Sequence, residues 1–425
     1  MPSPTPSHLL TTFSCPVRSC RPLLFGVLVS VLLMLGAPLA THAQSVFADS
    51  GGFRIGSEDG SYQLRIGGDA HADTRILLTE APGTTTSFYM RRARVRLRAT
   101  VQRRFSVQFM SNFGRGRAGL QDAFIDFRFG PNIALRAGKF KTPVGLEFLQ
   151  SPNTMMHIER GYPTAFVPNR DIGFQLHGTT LSQRLEYAIG VFNGAPDGVS
   201  LDGDEGPAKD IIGRAFVEPW RGASDAPAHL NGLGVGIAAT YGIERDRLPT
   251  YRTLHQSPLF SYRTAVRADG PRLRLVPQFY YHAGSLGLLG EYALSSQAVE
   301  SSGTTETLRH HAWQVGASYL LTGESATYGS VAPRNAYDPE QSSWGAFEVS
   351  AKVQRFSFDD DAFPTFATPD SQVQHGTAVA AGITWYPVRN IRFMVVGERT
   401  MFGGNEAGEM RSAEHTIGTR VQVAY

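Results

Sequence analysis

The segment Phe88 to Val101, FYMRRARVRLRATV, admits few folds. Read at period two, Arg92, Arg94, Arg96 and Arg98 fall on one face, and Ala93, Val95, Leu97, Ala99 and Val101 on the other. Strand side chains alternate between faces, whereas a helix would spread the four arginines around its circumference. The segment is therefore a strand with a guanidinium ladder on one side and an apolar surface on the other. Four like charges at this spacing repel one another and have to face water. Two settings satisfy both faces. One is an edge strand of a soluble sheet with a basic outer face. The other is a strand whose apolar side meets lipid while its charged side lines a wet channel.

The rest of the chain decides between them by repetition. Tyr62 to Thr74 alternates cleanly, with Leu64, Ile66, Ala70 and Ala72 against Arg65, Asp69, His71 and Asp73. Phe105 to Phe113, Ala123 to Phe129 and Ile133 to Phe140 follow, joined by tight links such as Gln102-Arg103-Arg104 and Gly130-Pro131-Asn132. Lys141 to Arg170 then breaks the pattern with four prolines and no periodicity, and a loop this long inside a compact fold is usually functional. Alternation resumes at Ile172–Leu176, Leu185–Val191, Ile211–Val217, Leu233–Tyr241, Leu273–Tyr281 and Leu286–Leu294. It continues through Trp313–Leu321, Gly345–Val353, Thr377–Trp385, Ile391–Gly397 and His415–Tyr425.

With Phe260–Ala268 assigned to a long external loop, about sixteen strands remain, an even number as bacterial single-chain barrels require. Short turns on one rim and long loops on the other fit the same layout. Gly323 to Ser343 is the exception, a long link on the short-turn side. The expectation is an all-β, transmembrane antiparallel β-barrel of about 16 strands, which encloses a water-filled channel rather than a packed interior. The closing strand ends on Tyr425, on the face of Val423, Val421 and Ile417, as in the signal that outer-membrane assembly machinery reads.

Residues 1–43 hold Arg18 and Arg21 but no acid, then an apolar run from Pro22 to Ala40, then Thr41-His42-Ala43. That order is a secretory signal peptide cleaved near Ala43, leaving a short segment 44–60 and a barrel over 61–425. Export and a barrel together imply the outer membrane of a diderm bacterium. Both cysteines, Cys15 and Cys20, lie in the leader, so the exported chain must be held by hydrogen bonds and burial alone. A mean hydropathy of −0.18 reads as soluble, yet alternating barrel strands average out the same way. Removing the leader takes the cations from 40 to 38 against 37 acids. A whole-molecule attraction for nucleic acid or other anions is not indicated, so any selectivity has to come from where the charges sit.

Enzyme chemistry finds no foothold. No G-x-S-x-G element, zinc-spaced Cys/His cluster, phosphate loop or dinucleotide fingerprint is present, and His157, His310 and His311 stand at loop or rim positions. No cofactor or metal is expected, and the run Asp359-Asp360-Asp361 reads as a solvated loop.

The chain resembles the phosphate-selective porin O/P family. The matching segments are FYMRRARVRLR (88–98), LQDAFIDF (120–127), LRAGKFKTPVGLE (135–147), IERGYPTAFVPNRDIG (158–173) and YAIGVFNG (187–194). Further matches are LLGEYALSSQ (288–297), YLLTGE (319–324) and WGAFEVSAKVQRFSF (344–358). The resemblance implies a sixteen-stranded trimeric porin whose long third loop, here Lys141 to Arg170, folds into the pore. It also implies that arginines and lysines guide anions. Phosphate-selective members use lysines at the constriction; this chain has Lys139 and Lys141 near the start of the loop, and the loop adds Glu147, Glu159 and Arg160.

The expected function is passive diffusion of small anions, phosphate or polyphosphate among them. The candidate solute-contacting residues are Arg92, Arg94, Arg96, Arg98, Lys139, Lys141, Arg160 and Arg170. An arginine offers an oxyanion a charge-assisted fork without losing its proton, and a ladder of such sites lets the anion leave as well as enter. The competing reading is self-compensation, since Asp69 and Asp73 face the same lumen and can pair with the ladder. A general diffusion porin follows from that, and a structural or surface-interaction barrel with a closed channel is a further alternative.

Overall fold

A computed structural model describes residues 44–49, 51–78, 86–204, 206–207, 209–223, 227–254, 256–368, 373–404 and 411–425. Ser45–Tyr425 forms one compact unit. The expected leader, residues 1–43, lies outside the described residues.

Two short strands, β1 (Gln44–Asp49) and β2 (Gly52–Ser57), precede the barrel. The first run of barrel strands is β3 (Tyr62–Leu77), β4 (Ser87–Val101), β5 (Phe105–Asn112), β6 (Gly119–Gly130), β7 (Ile133–Lys141), β8 (Arg170–Thr180), β9 (Leu185–Phe192), β10 (Asp210–Val217) and β11 (Leu233–Arg245). A hairpin of β12 (Thr250–Arg252) and β13 (Pro258–Ser261) forms its own two-stranded sheet in the following link. The barrel resumes with β14 (Arg267–Ala283), β15 (Leu286–Ser301), β16 (Thr304–Leu320), β17 (Ala346–Ser357), β18 (His375–Val388), β19 (Ile391–Gly403) and β20 (Glu414–Ala424).

The sixteen strands β3–β11 and β14–β20 pair antiparallel in sequence, and β20 closes on β3 from Thr416 opposite Leu77 to Ala424 opposite Asp69. Tyr425 completes the seam by exchanging backbone bonds with Gly68 at 2.8 and 3.0 Å. Below that point the edge of β3 is taken by β2, with Phe53 opposite Ile66. Closure leaves no row of unpaired amides at this seam, as a lipid-embedded sheet demands. Of Phe260–Ala268, residues 260–266 stay out of the barrel, the first two of them in β13, while Arg267 and Ala268 begin the barrel strand β14. Among the described residues, no helix is long and apolar enough to cross a membrane.

Alternation sets the faces. On β4, Val95 and Leu97 are 46% and 38% exposed on the outer surface, while Arg94 is 6% exposed on the inner one. Residues 102–104, 131–132, 181–184, 284–285 and 389–390 are the tight links of one rim. On that same rim the link from β10 to β11, residues 218–232, is long as well, and so is the link from β16 to β17, residues 321–345. Its Tyr328 hydroxyl donates to the Leu146 carbonyl at 2.5 Å, so this link reaches the segment 142–169 from the opposite end of the barrel. On the other rim, the two-residue turn between β15 and β16 departs from the long-loop pattern.

Candidate functional site

The arginine strand carries one feature that period-two reading misses. His71 pairs with Arg92 but Ala72 pairs with Met90, so Arg91 is an extra residue in a β-bulge. Beyond it the inward parity switches, leaving Phe88 at 83% and Met90 at 43% exposure outside. The bulge lets Arg91 join the inward set, where its Nη2 donates to Glu159 of the segment 142–169 at 2.8 Å.

The ladder is partly compensated. Arg94 donates to Asp69 Oδ2 from Nε at 2.9 Å, its Nη2 lies 2.8 Å from the same oxygen, and both side chains are almost fully buried. Arg96 approaches the same carboxylate at 3.9 Å with its side chain 34% exposed. Arg98 donates twice to Gln108 Oε1, and Gln108 in turn donates to Asp122 at 2.9 Å. Arg92 Nη1 lies 3.3 Å from His71 Nδ1. Asp73 is not a partner of the ladder, because it accepts two 2.7 Å bonds from Arg420 on β20.

The remaining candidates divide by role. Arg170 Nε donates to Asp122 at 2.8 Å. Lys139 is bonded to the Leu120 carbonyl and to Asp202 and lines neither of the cavities described below. Lys141 Nζ donates to the carbonyls of Phe148, Leu149 and Gln150 at 2.7–3.0 Å. Arg160 donates to the carbonyls of Glu147, Phe148 and Gln150. These two cations therefore cap the carbonyl end of the helical turn Leu146–Leu149, a stabilising place for positive charge. Burial lowers the Arg160 pKa to about 10 against the pull of Glu147, which leaves it charged at neutral pH.

The same turn is held at its other end by acids. Glu291 on β15 accepts from the Leu146 amide at 2.7 Å and from Gln314 at 2.8 Å. Glu147 accepts from the Gly161 amide at 2.6 Å and from Gln314 at 2.8 Å. Gly161 is a close approach: a Cβ there would lie 1.7 Å from Gln314 Oε1, so the Gln314 amide that bonds Glu147 and Glu291 would have to move. Further along, the Tyr162 amide donates to Gln354 on β17, and Tyr162 and Phe166 enter an apolar core with Phe192, Ile212, Val276, Ala312 and Phe356. Arg392 on β19 and Gln422 on β20 donate to the Asn153 carbonyl. The segment 142–169 is thus bonded to side chains of β4, β15–β17, β19 and β20.

Two cavities adjoin the ladder. One, of about 350 Å³, is lined by Arg65, Arg94, Arg96, Arg98, Lys141 and Arg170, with Asp122 its one acidic lining residue. The other, of about 500 Å³, is lined by Arg98, Arg128, Arg136, Lys141 and His177, with Asp122 and Glu186 as acids. Arg98, Gln108, Asp122, Lys141 and Leu149 belong to both, so the two form one tract. Arg92 and Arg160 line neither. Sequence reasoning did not single out Arg65, Arg128 and Arg136, although each occupies a polar position of an alternating segment. Among the described residues, no group of acids and histidines could hold a metal ion. The chemistry available is electrostatic: fixed guanidiniums around a wet tract, with fewer carboxylates than cations.

The family model described as phosphate-selective porin O and P matches residues 64–425. No curated protein matches the sequence. Among solved structures, the outer membrane channel DcaP of Acinetobacter baumannii is similar at 10% identity and TM-score 0.58, covering 87% of this chain and 99% of that one. OmpF of Salmonella typhi is similar at 11% identity and TM-score 0.56, over 90% of this chain and 100% of that one. The trimer form of OmpT from Vibrio cholerae is similar at 9% identity and TM-score 0.54, over 86% and 100%. At these identities the structural likeness speaks for the barrel fold alone.

Proposed function

The chain belongs to the phosphate-selective porin O and P family of outer-membrane porins, and from that membership we propose that it passes small anions, phosphate among them, along the arginine wall of its barrel. The observation that carries this reading is the cavity wall of six cations and one acid. Asp69 and Asp49, both outside the lining, offset Arg94 and Arg65, and Asp122 offsets Arg170, which leaves Arg96, Arg98 and Lys141 as the net positive charge of this cavity wall. Such a wall lowers the cost of bringing an oxyanion through a narrow passage, while the flanking Gln108 and Asp122 keep any one site from holding it.

The segment Lys141 to Arg170 lies in the lumen on this reading and sets the narrowest point. Its bonds to Glu291, Gln314, Gln354, Arg392 and Gln422 support that, because those residues belong to β15–β20, across the ring from the strands β7 and β8 that the segment joins. Lys141 and Arg160 then act chiefly as positioning residues that hold the helical turn, and Arg96 and Arg98 meet the solute. Export by a leader cleaved near Ala43, recognition of Tyr425 by the assembly machinery and a homotrimeric state complete the proposal. No enzymatic role is assigned.

The general diffusion porin is the second reading, favoured by the pairing of Arg94 with Asp69 and of Arg170 with Asp122. Planar-bilayer recording separates the readings. A reversal potential toward the anion in a chloride gradient, with current blocked by phosphate or pyrophosphate, supports the anion channel. Equal permeability of anion and cation sinks it, and no conductance at all leaves the structural barrel.

A further inference from the structure

The outer surface carries a second charge pattern that the channel does not use. On the outward positions of β16–β20, the charged or titratable basic residues are Arg309, His311, Arg355, His375, Arg399 and His415, and no acid shares those positions. Their parity is fixed by their strands. Val315, Val353, Val379, Val395 and Val421 have the same parity and are 40–53% exposed. The sequence neighbours His310, Gln354, Thr400 and Glu414 have the opposite parity and are buried. The outward positions of β3 and β5, by contrast, hold no charged side chain.

The six residues form one patch. His311 lies opposite Ser357, and Ser357 lies opposite His375. Arg355 is opposite Thr377 and donates to its hydroxyl at 3.4 Å, and Arg399 is opposite His415. Diagonal neighbours in such a sheet are about 7–8 Å apart, so a single bisphosphorylated headgroup can meet more than one of them. The nearest run of acids, Asp359 to Asp361, lies in the link past the end of β17, where the Asp359 carboxylate accepts the Arg309 amide at 2.7 Å.

Height along the barrel is the second observation. Arg399 stands nine residues beyond Asn390 in a tight turn, His415 ten residues from Tyr425, and His375 fourteen from Arg389. At about 3.4 Å per residue and a tilt of roughly 40°, these positions are about 23–36 Å above the tight-turn rim. A barrel's apolar band is about 25 Å tall, so the patch stands at the far edge of that band, with Trp385, Phe347 and Phe393 stacked near the opposite edge. Short turns mark the periplasmic rim, which makes the far edge that of the outer leaflet.

We propose that this patch on β16–β20 binds the phosphate groups of an outer-leaflet phosphoglycolipid. Guanidinium forks match phosphate geometry, and the absence of outward acids leaves the patch complementary to an anionic headgroup. Free inorganic phosphate has the same chemistry and is separated by experiment. The test is native mass spectrometry of the folded protein and of R355Q/R399Q, each offered lipid A with two phosphates, dephosphorylated lipid A, and the first lipid in competition with inorganic phosphate. The expected result is retention of the phosphorylated lipid by the parent chain and at least tenfold weaker retention by the variant. R355K/R399K should fall between them, millimolar phosphate should not displace the lipid, and bilayer conductance should be unchanged. Equal retention by parent and variant, indifference to dephosphorylation, or displacement by phosphate overturns the proposal. Should R355Q/R399Q fail to assemble, R309Q/H375Q is read by the same criteria.

Discussion

Replacing Arg96 and Arg98 together by glutamine removes two charges from the cavity wall and leaves the Arg94–Asp69 pair in place. Arg96 reaches Asp69 only at 3.9 Å and Arg98 is bonded to Gln108, so neither change strands a buried carboxylate. Arg94 is the wrong target. Its side chain and that of Asp69 are 4% and 0% exposed, and removing one member of a buried pair costs about 3–5 kcal/mol. For an ion passing at roughly 8 Å, each unit charge contributes about 0.5 kcal/mol in water before screening. A Debye length of about 10 Å at 0.1 M salt reduces this to about 0.2 kcal/mol, and one of about 30 Å at 0.01 M to about 0.4 kcal/mol. Two charges act with opposite sign on anions and cations. The anion-to-cation permeability ratio should therefore fall about fivefold at 0.1 M and about fifteenfold at 0.01 M. Reversal potentials of R96Q/R98Q in planar bilayers at both salts give the measurement, with a heat-modifiable gel band confirming assembly. A ratio that does not move, or one that moves equally at both salts, refutes the argument that the ladder acts through its field.

Single cysteines placed in residues 44–425, which hold none of their own, should be labelled by a membrane-impermeant thiol reagent at positions 96 and 98 and spared at 95 and 97; equal labelling of all four contradicts the assigned faces. Deleting Gly145 to Thr164 should raise single-channel conductance severalfold, and an unchanged value in an assembled protein places that segment outside the pore. Glu159 supplies a pH test. Burial raises its pKa, and Arg91, Arg420 and Arg92 together outweigh this and hold it at about 2, below the usual carboxylate value of about 4.3. A folded-state pKa below the unfolded one gives stability that is full above about pH 4.3 and lost as pH falls through about 2. Channel current should be steady from pH 8 to 5 and turn noisy between about 4 and 2, whereas E159Q should be noisy throughout. A pH-independent trace for both proteins shows that the Arg91–Glu159 tie does not hold the loop.

The strands were legible because a lipid-facing barrel imposes strict alternation, and the segments read from it coincide with all sixteen barrel strands, differing mainly at their ends. The ends were not legible. Residues that extend β14 to Arg267 and β16 to Thr304 carry polar side chains at outward positions, Arg267, Asp269, Thr307 and Arg309 among them, so no apolar alternation marks them. The ladder was visible as a charge spacing, but its partners were not. Asp73 shares the parity of Asp69, yet the closure of β20 on β3 delivers Arg420 to it. Only the ring topology sets that pairing. The bulge at Arg91 was equally hidden, since Arg91 stands between Met90 and Arg92 and nothing in the arginine pair marks one of the two as an extra residue.

A sixteen-stranded ring encloses more space than its side chains fill, and the chain fills that space unevenly for a reason written on the inner face. On β9–β11 and β14–β18 many inward positions are themselves apolar: Phe192, Ile212, Ala238, Val276, Ala293, Ala312, Phe356 and Ala378 are all buried in one core. Apolar inward side chains gain nothing from water, and they draw in chain that can cover them. Tyr162 and Phe166 supply it, with Tyr162 against Phe356 at 4.7 Å and Phe166 against Tyr251 at 4.7 Å. On β4–β8 the inward positions include Arg96, Arg98, Gln108, Asp122, Arg136 and Gln175, whose charges and amides are costly to cover with apolar chain. The wet tract is confined to that wall by the same partition that anchors segment 142–169 on the other. A solute on the proposed route therefore passes beside the guanidiniums of that wall, and on this proposal a protein with almost no net charge discriminates by sign through their local field.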